Sequence, residues 1–224
     1  MGLLERLAAW LGVRKKQVSV LCVGLDNAGK STILRHLKSG KADVQEIVPT
    51  LGVNSERLTL GSLCLTVFDM SGQNRYRDLW QHYYSSVQAV VFVMDSSDKL
   101  RLPVARHELE SLLQHPGIYT RRVPLLVFAN KSDKPESLSP ISCTQMLGLS
   151  SLSDSPWHIC ASNGLTGDGL EAGFMWLHGE YKPFGHTFGQ FLNEVHRVIQ
   201  LQRSGAVTFT LTLPFIDQLC AMES

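Results

Sequence analysis

The segment Gly24-Leu25-Asp26-Asn27-Ala28-Gly29-Lys30-Ser31 follows an apolar run, Val18 to Val23, and precedes residues of helical pattern. A strand, a glycine-rich turn and a helix in that order make G-x-x-x-x-G-K-[ST] a phosphate cradle. The glycines let the backbone N–H groups of the turn point inward, and the positive end of the helix adds to the attraction. Lys30 supplies a point charge for the β and γ phosphates, and the Ser31 hydroxyl is placed to ligate Mg²⁺. Gly24, Asp26, Asn27, Ala28, Gly29, Lys30, Ser31 and Thr32 are therefore the candidate phosphate-binding residues.

Three further elements follow in a fixed order. Phe68-Asp69-Met70-Ser71-Gly72-Gln73 closes a second apolar strand, Leu63 to Phe68, with D-x-x-G. There Asp69 can hold Mg²⁺ through water and the Gly72 N–H can sense a γ-phosphate. Val127-Phe128-Ala129-Asn130-Lys131-Ser132-Asp133 ends another apolar strand with N-K-x-D. Asn130, Lys131 and Asp133 point to guanine, since the Asp133 carboxylate can accept from both N1–H and N2–H₂. Adenine offers no such pair, and a buried carboxylate left unpaired would cost roughly 1–3 kcal/mol. Lastly Cys160-Ala161-Ser162 follows a strand-like Trp157 to Ile159 and places the Ala161 N–H to meet guanine O6. The four elements read as a guanine-nucleotide switch.

With these motifs in place, the chain resembles the small GTPases of the Arf and Arf-like branch over about residues 1 to 178. Gly24 to Lys30, Val67 to Gln73 and Trp157 to Ser162 carry the resemblance. It implies the P-loop small GTPase fold, an α/β architecture with a mostly parallel six-stranded sheet flanked by helices. It also implies GTP and GDP as ligands with Mg²⁺ held by Ser31, Thr50 and, through water, Asp69. Gln73 would orient the attacking water, and Lys30 is its catalytic companion. Thr50, after Val48-Pro49, resembles a switch threonine that joins the Mg²⁺ shell only when a γ-phosphate is present. Implied partners are an exchange factor, an activating protein and the coat-like BBSome, with a place in the cytoplasm, on the cytosolic face of membranes and at the primary cilium and its base. A GTP-dependent recruitment module without meaningful hydrolysis, and an isoform that binds no nucleotide, stand as alternatives.

The alternating strand and helix patterns fit a doubly wound sheet. Strands are expected at Val18 to Val23, on either side of Gly61-Ser62, at Ala89 to Met94, Leu125 to Ala129 and Trp157 to Cys160. Helices are expected near Lys30 to Leu37, Leu102 to Gln114, Cys143 to Leu147 and Leu170 to Leu177. Apart from the hairpin strand the sheet is expected to be parallel, with the ligand at its carboxyl edge. Lys and Arg number 21 against 20 Asp and Glu, so the charge balance gives no sign of a nucleic-acid partner. No run of about 18 apolar residues suggests a membrane span. Five cysteines without C-x-x-C pairing read as free thiols of a reducing compartment. Tyr76, Trp80, Tyr83 and Tyr84 form either an exposed effector patch or the packed side of a helix, and Arg75 and Arg77 are expected to face a partner or solvent.

Residues 1–16 read as an N-terminal amphipathic helix. Leu3, Leu4, Leu7, Ala8 and Leu11 recur at helical spacing ahead of Arg14-Lys15-Lys16, a layout suited to a membrane surface. Gly2 is a possible myristoylation site, although Arg6 stands where the acceptor pattern prefers Ser or Thr. The GTPase domain is expected at 17–178 and an atypical tail at 179–224. In the tail Phe188 to Gln202 carries helical periodicity and Val207 to Leu213 a strand-like alternation. The tail is either a partner-binding addition or a segment without a selected role. With no arginine evident as a finger in cis, intrinsic hydrolysis is expected to be slow and to await an arginine from a partner, worth about 10³–10⁵ in rate. Single-turnover assays on the purified monomer check this, and turnover near one per second would contradict it.

Overall fold

The computed structural model describes residues 16–39, 49–60, 63–153 and 155–181. The expected N-terminal helix with Gly2, the hairpin tip Gly61-Ser62, and the helix and strand of the tail lie outside the described residues. The chain divides into two compact units after Tyr181, and the described residues belong to the first.

Strand β1 (Lys16–Val23) leads through the glycine-rich turn into α1 (Lys30–Ser39), and β2 (Val53–Leu60) then pairs with β3 (Leu63–Met70). A 3₁₀ turn (Asn74–Leu79) and the short α2 (Gln81–Tyr84) lead to β4 (Ala89–Asp95). A second 3₁₀ turn (Lys99–Arg101) opens α3 (Leu102–Gln114), which α4 (Pro116–Tyr119), β5 (Leu125–Asn130), α5 (Pro140–Leu147), β6 (Trp157–Ser162) and α6 (Leu170–Glu180) follow. The sheet order is β2-β3-β1-β4-β5-β6. Every pairing is parallel except β2 with β3, whose register runs from Val53 opposite Met70 to Leu60 opposite Leu63.

The central strands are apolar on both faces because both are covered, as parallel sheets require. Leu21, Val23, Val90, Phe92, Met94, Leu125 and Val127 pack toward Leu109 and Leu112 of α3 and Cys143 and Leu147 of α5. Their alternates Val20, Cys22, Val91, Val93, Leu126 and Phe128 meet Ile33 and Leu34 of α1 and Leu170, Phe174 and Leu177 of α6. Helix α3 turns Leu102, Ala105, Leu109 and Leu112 inward at helical spacing. Helix α5 is bounded locally: the Ser139 hydroxyl accepts from the Ser142 N–H, Pro140 occupies the first turn, and Gly148 closes the helix at φ 71°.

Some sequence expectations change. Strand β1 begins at Lys16, within the segment read as the N-terminal helix, and α6 runs to Glu180 despite Gly179. The aromatic residues after β3 are not an exposed patch. Trp80 and Tyr84 are buried and Tyr76 and Tyr83 half-buried. Trp80 Nε1 donates to the Ser71 carbonyl at 3.0 Å, Tyr83 tilts against Phe68, and Tyr84 meets His115 edge-on. Burial wins because each ring carries a large apolar area and finds a partner across the turn.

Helix α6 lies tight against the sheet at Gly173, where a Cβ would stand 2.7 Å from Phe128 Cε1 and 3.0 Å from Cys160 Sγ. Replacing Gly173 by Val must therefore push the helix off the strands, and we expect urea denaturation to show a loss of about 1–3 kcal/mol.

Candidate nucleotide site

The carboxyl ends of β1, β3, β4 and β5 and the loop after β6 converge on one edge of the sheet, where the sequence motifs meet. Gly24 leaves β1 at φ 137°, with a Cβ position 2.0 Å from the Val93 carbonyl oxygen, so only glycine lets β1 turn there against β4. Asn27 follows in the left-handed region at φ 60°. The turn delivers Lys30 to the first position of α1, buried, with Nζ donating to the carbonyls of Gly24 at 2.9 Å and Leu25 at 2.8 Å.

Two clefts adjoin along this edge. One, of about 390 Å³, is lined by the turn residues Asp26, Asn27, Gly29, Lys30, Ser31 and Thr32, by Pro49 and Thr50, and by Met70 to Gln73. The other, of about 380 Å³, is lined by Asn27, Gly29 and Thr32 again, then by Asn130, Lys131, Asp133, Lys134, Asn163, Gly164 and Leu165. The shared residues make them two halves of one elongated site. The glycine-rich turn lines one half and the N-K-x-D segment the other, an arrangement that fits an elongated nucleoside polyphosphate.

Three oxygen-bearing side chains cluster at the phosphate end. Ser31 Oγ donates to Asp69 Oδ2 at 2.5 Å and lies 2.9 Å from Thr50 Oγ1, which is itself 3.4 Å from Asp69 Oδ2. Asp69 Oδ1 is buried without a hydrogen-bond partner among the described residues. Burial pushes the Asp69 carboxyl above its ordinary range, partly offset by the Ser31 hydrogen bond and the Lys30 charge. Burial likewise draws the Lys30 ammonium down, against the favourable field of the Asp69 carboxylate. An unpaired carboxylate oxygen beside two hydroxyls is an all-oxygen, hard donor set, which suits Mg²⁺ together with phosphate.

Gly72 lies flat on the phosphate turn, its Cβ position 2.2 Å from the Asp26 nitrogen. Gln73 lines the same half, its side-chain oxygen accepting from Arg75 Nε at 3.1 Å. Arg77 faces neither solvent nor a partner. Its side chain is 12% exposed, and it donates to the Gly72 carbonyl at 2.9 Å and to Glu108 at 2.8 Å. Sequence spacing could not foresee this pairing, because Glu108 arrives from α3.

In the other half Asn130 is a clamp. Its Nδ2 donates to the Ala28 carbonyl at 2.8 Å, while its Oδ1 accepts from the Gly164 N–H at 2.9 Å and the Ser162 hydroxyl at 3.2 Å. Lys131, at φ 61°, pairs with Asp95 at 2.7 Å. Burial alone would raise the Asp95 carboxyl, but hydrogen bonds from Lys131 and Ser97 outweigh it and hold the group below its ordinary range. Asp133 is exposed at the cleft. Ala161 stays half-buried within β6, paired with Ala129, and the loop beyond it supplies Asn163, Gly164 and Leu165 to the lining. Those three escaped the sequence reading, although Ser162-Asn163-Gly164 is a turn signature; Asn163 Oδ1 accepts from the Leu165 N–H at 2.9 Å.

Sheet order, phosphate turn and two-part cleft together define a P-loop small GTPase. The chain belongs to the ADP-ribosylation factor (Arf) family, whose profile matches residues 4–181. It is 54% identical over 182 residues to ADP-ribosylation factor-like protein 6 of Danio rerio, covering 81% of this chain and 98% of that one. The Caenorhabditis elegans protein of the same name is 39% identical over 184 residues, covering 82% and 97%. Among solved structures, the Arl6 BBS3 small GTPase of Trypanosoma brucei, bound to the analogue GppNp, is 40% identical with a TM-score of 0.68, covering 74% of this chain and 97% of that one. Members of this family bind guanine nucleotide and hydrolyse GTP, and the chain is accordingly a GTP-binding switch and a GTPase.

Removing Asn130 should separate the two halves of the site. Asn130→Ala leaves the Ala28 carbonyl and the Gly164 N–H without their partner, at about 1–3 kcal/mol for each buried group. Faster release of a fluorescent GDP and a lower denaturation midpoint are the expected readings.

Proposed function

We propose that the chain is a membrane-associated guanine-nucleotide switch whose GTP form recruits the coat-like BBSome for membrane-protein traffic at the primary cilium. The observation that carries the switch is the meeting of Ser31, Thr50 and Asp69 within hydrogen-bond reach, with Gly72 laid on the phosphate turn. Thr50 and Gly72 belong to separate segments that touch the same half-site, so both can respond to the same γ-phosphate. The similarity to ADP-ribosylation factor-like protein 6 supports the ciliary assignment, and the apolar and basic residues 1–16 support the membrane surface.

In this reading the phosphates lie across the N–H groups of Asn27 to Thr32. Lys30 turns its ammonium from the turn carbonyls to the β and γ phosphates. The Asp133 carboxylate accepts from the guanine edge, Lys131 is steadied by Asp95, and the end of β6 at Ala161 with the loop from Asn163 to Leu165 closes on the base. Asn130 holds turn and loop at a fixed spacing. Ser31 and Thr50 would hold Mg²⁺ with Asp69 behind them through water, and the cation would supply charge neutralisation at the β and γ oxygens. Gln73 gives up its contact with Arg75 and orients water toward the γ-phosphate. Loss of the γ-phosphate removes the shared anchor of Thr50 and Gly72, and both segments are released.

The purified full-length chain, once denatured, should give up stoichiometric GDP or GTP, and BBSome capture should occur with the GTP-analogue form and not the GDP form. A folded preparation carrying no guanine nucleotide overturns the switch, and equal capture in both forms overturns the recruitment.

A further inference from the structure

Among the described residues, the half-buried pair Arg77 and Glu108 is a charged group that the hydrolytic machinery just described does not use. Arg77 spreads its guanidinium over three elements: Nε donates to the Gly72 carbonyl at 2.9 Å, Nη1 to Glu108 on α3 at 2.8 Å, and Nη2 lies 3.7 Å from Asp26 Oδ1 on the phosphate turn. The Arg77 and Glu108 side chains are 12% and 21% exposed, so this pair is shielded from solvent. The Asp26 side chain is half exposed and also receives Arg101, at 3.4 Å, whose guanidinium is tied to Asp98 and donates to the Asp26 carbonyl. Asp26 is therefore the weaker anchor and Glu108 the stronger.

The consequence for Gln73 follows from peptide geometry. The Gly72 carbonyl and the Gln73 N–H belong to one rigid plane. Arg77 holds that plane by its oxygen, and Ser71 Oγ receives its N–H at 3.4 Å. Gly72 has little room to retreat toward the turn, since even a Cβ on it would fall 2.2 Å from the Asp26 nitrogen and 2.3 Å from the Leu25 carbonyl carbon. The plane that sets where the Gln73 side chain starts is thus fixed by a guanidinium whose own position is set by α3. Helix α3 is a firm base for this, since Ala105, Leu109 and Leu112 bury its inner face on either side of Glu108.

We propose that Arg77 is a positioning residue for GTP hydrolysis, and that Glu108, by holding Arg77, makes α3 the frame on which the Gly72–Gln73 peptide is set. The requirement is for the planar guanidinium and not for charge alone, because a lysine has one terminal nitrogen and cannot place one nitrogen on the Gly72 carbonyl and another on the Glu108 carboxylate. The inference rests on the guanine-nucleotide reading of the site. It assigns Arg77 and Glu108 to the γ-phosphate state alone, since GDP has nothing for Gly72 or Gln73 to meet.

The test compares the wild-type full chain with Arg77→Lys and Glu108→Gln, measuring affinities for fluorescent GDP and for a non-hydrolysable GTP analogue, single-turnover hydrolysis, and the melting temperature of the GDP complex. Both variants are expected to lose about tenfold in analogue affinity and in hydrolysis, with GDP affinity and melting temperature unchanged. Parallel loss for both nucleotides, or a fall in melting temperature, would make the cluster part of the scaffold and overturn the inference. Unchanged analogue affinity and hydrolysis would overturn it equally. Wild-type protein that takes up neither nucleotide overturns the guanine-nucleotide reading itself, and is told apart from the other outcomes by being seen before any variant is made.

Discussion

The side chain of Asn130 joins what the chain keeps apart. It sits at the end of β5, buried, and its three hydrogen bonds link the turn after β1 to the loop after β6. Those segments are 102 and 34 residues away in sequence. A buried amide that satisfies a carbonyl on one side and an N–H and a hydroxyl on the other cannot be exchanged for an apolar group of the same shape without stranding polar partners. Asn130 ties the glycine-rich turn to the segment at the end of β6, and Gly29 makes room for it: a Cβ there would fall 2.3 Å from Asn130 Nδ2.

Around that clamp the sheet edge carries charge where a core would exclude it. Lys30 and Asp69 are both buried among the ends of apolar strands, and burial disfavours the charged form of each. Hydrogen bonds hold them in place, Lys30 to two turn carbonyls and Asp69 to two hydroxyls. A site prepared in this way has already met much of the desolvation cost before any anion or cation arrives, and its groups need little reorganisation. Elsewhere in the core, burial pushes the Cys143 and Cys160 thiols up to about 11, and each stays a neutral thiol whose Sγ lies near one carbonyl, Leu138 at 3.9 Å and Gly169 at 3.8 Å.

The segment from Ser71 to Trp80 is less free than its composition suggests. Trp80 is sealed in the core and tied to the Ser71 carbonyl, the Ser71 N–H donates to Gly52 at the start of the interstrand hairpin, and Arg77 spans from Gly72 to α3. Movement of this segment therefore has to exchange defined contacts, which is how a packed element becomes two-state instead of merely loose.

Much of this protein was legible in its sequence. The turn from Gly24 to Ser31, the D-x-x-G and N-K-x-D segments and the apolar runs before them define a parallel α/β sheet with a phosphate site at its carboxyl edge, because glycine conformation, strand burial and the guanine edge are local matters of residue type and spacing. The helical stripe of α3 and the antiparallel pairing of β2 with β3 were local in the same way. What needed the tertiary structure were the pairings between distant segments. Asn130 proved to be a clamp as well as a lining residue, Arg77 was half-buried against Glu108 instead of facing outward, the aromatics after β3 packed inward, and Asn163 to Leu165 lined the cleft beyond Ala161. Each depends on which side chain arrives from another element at hydrogen-bond distance. No periodicity encodes that, since the energy of a buried polar or charged group is decided by its partner and not by its neighbours in sequence.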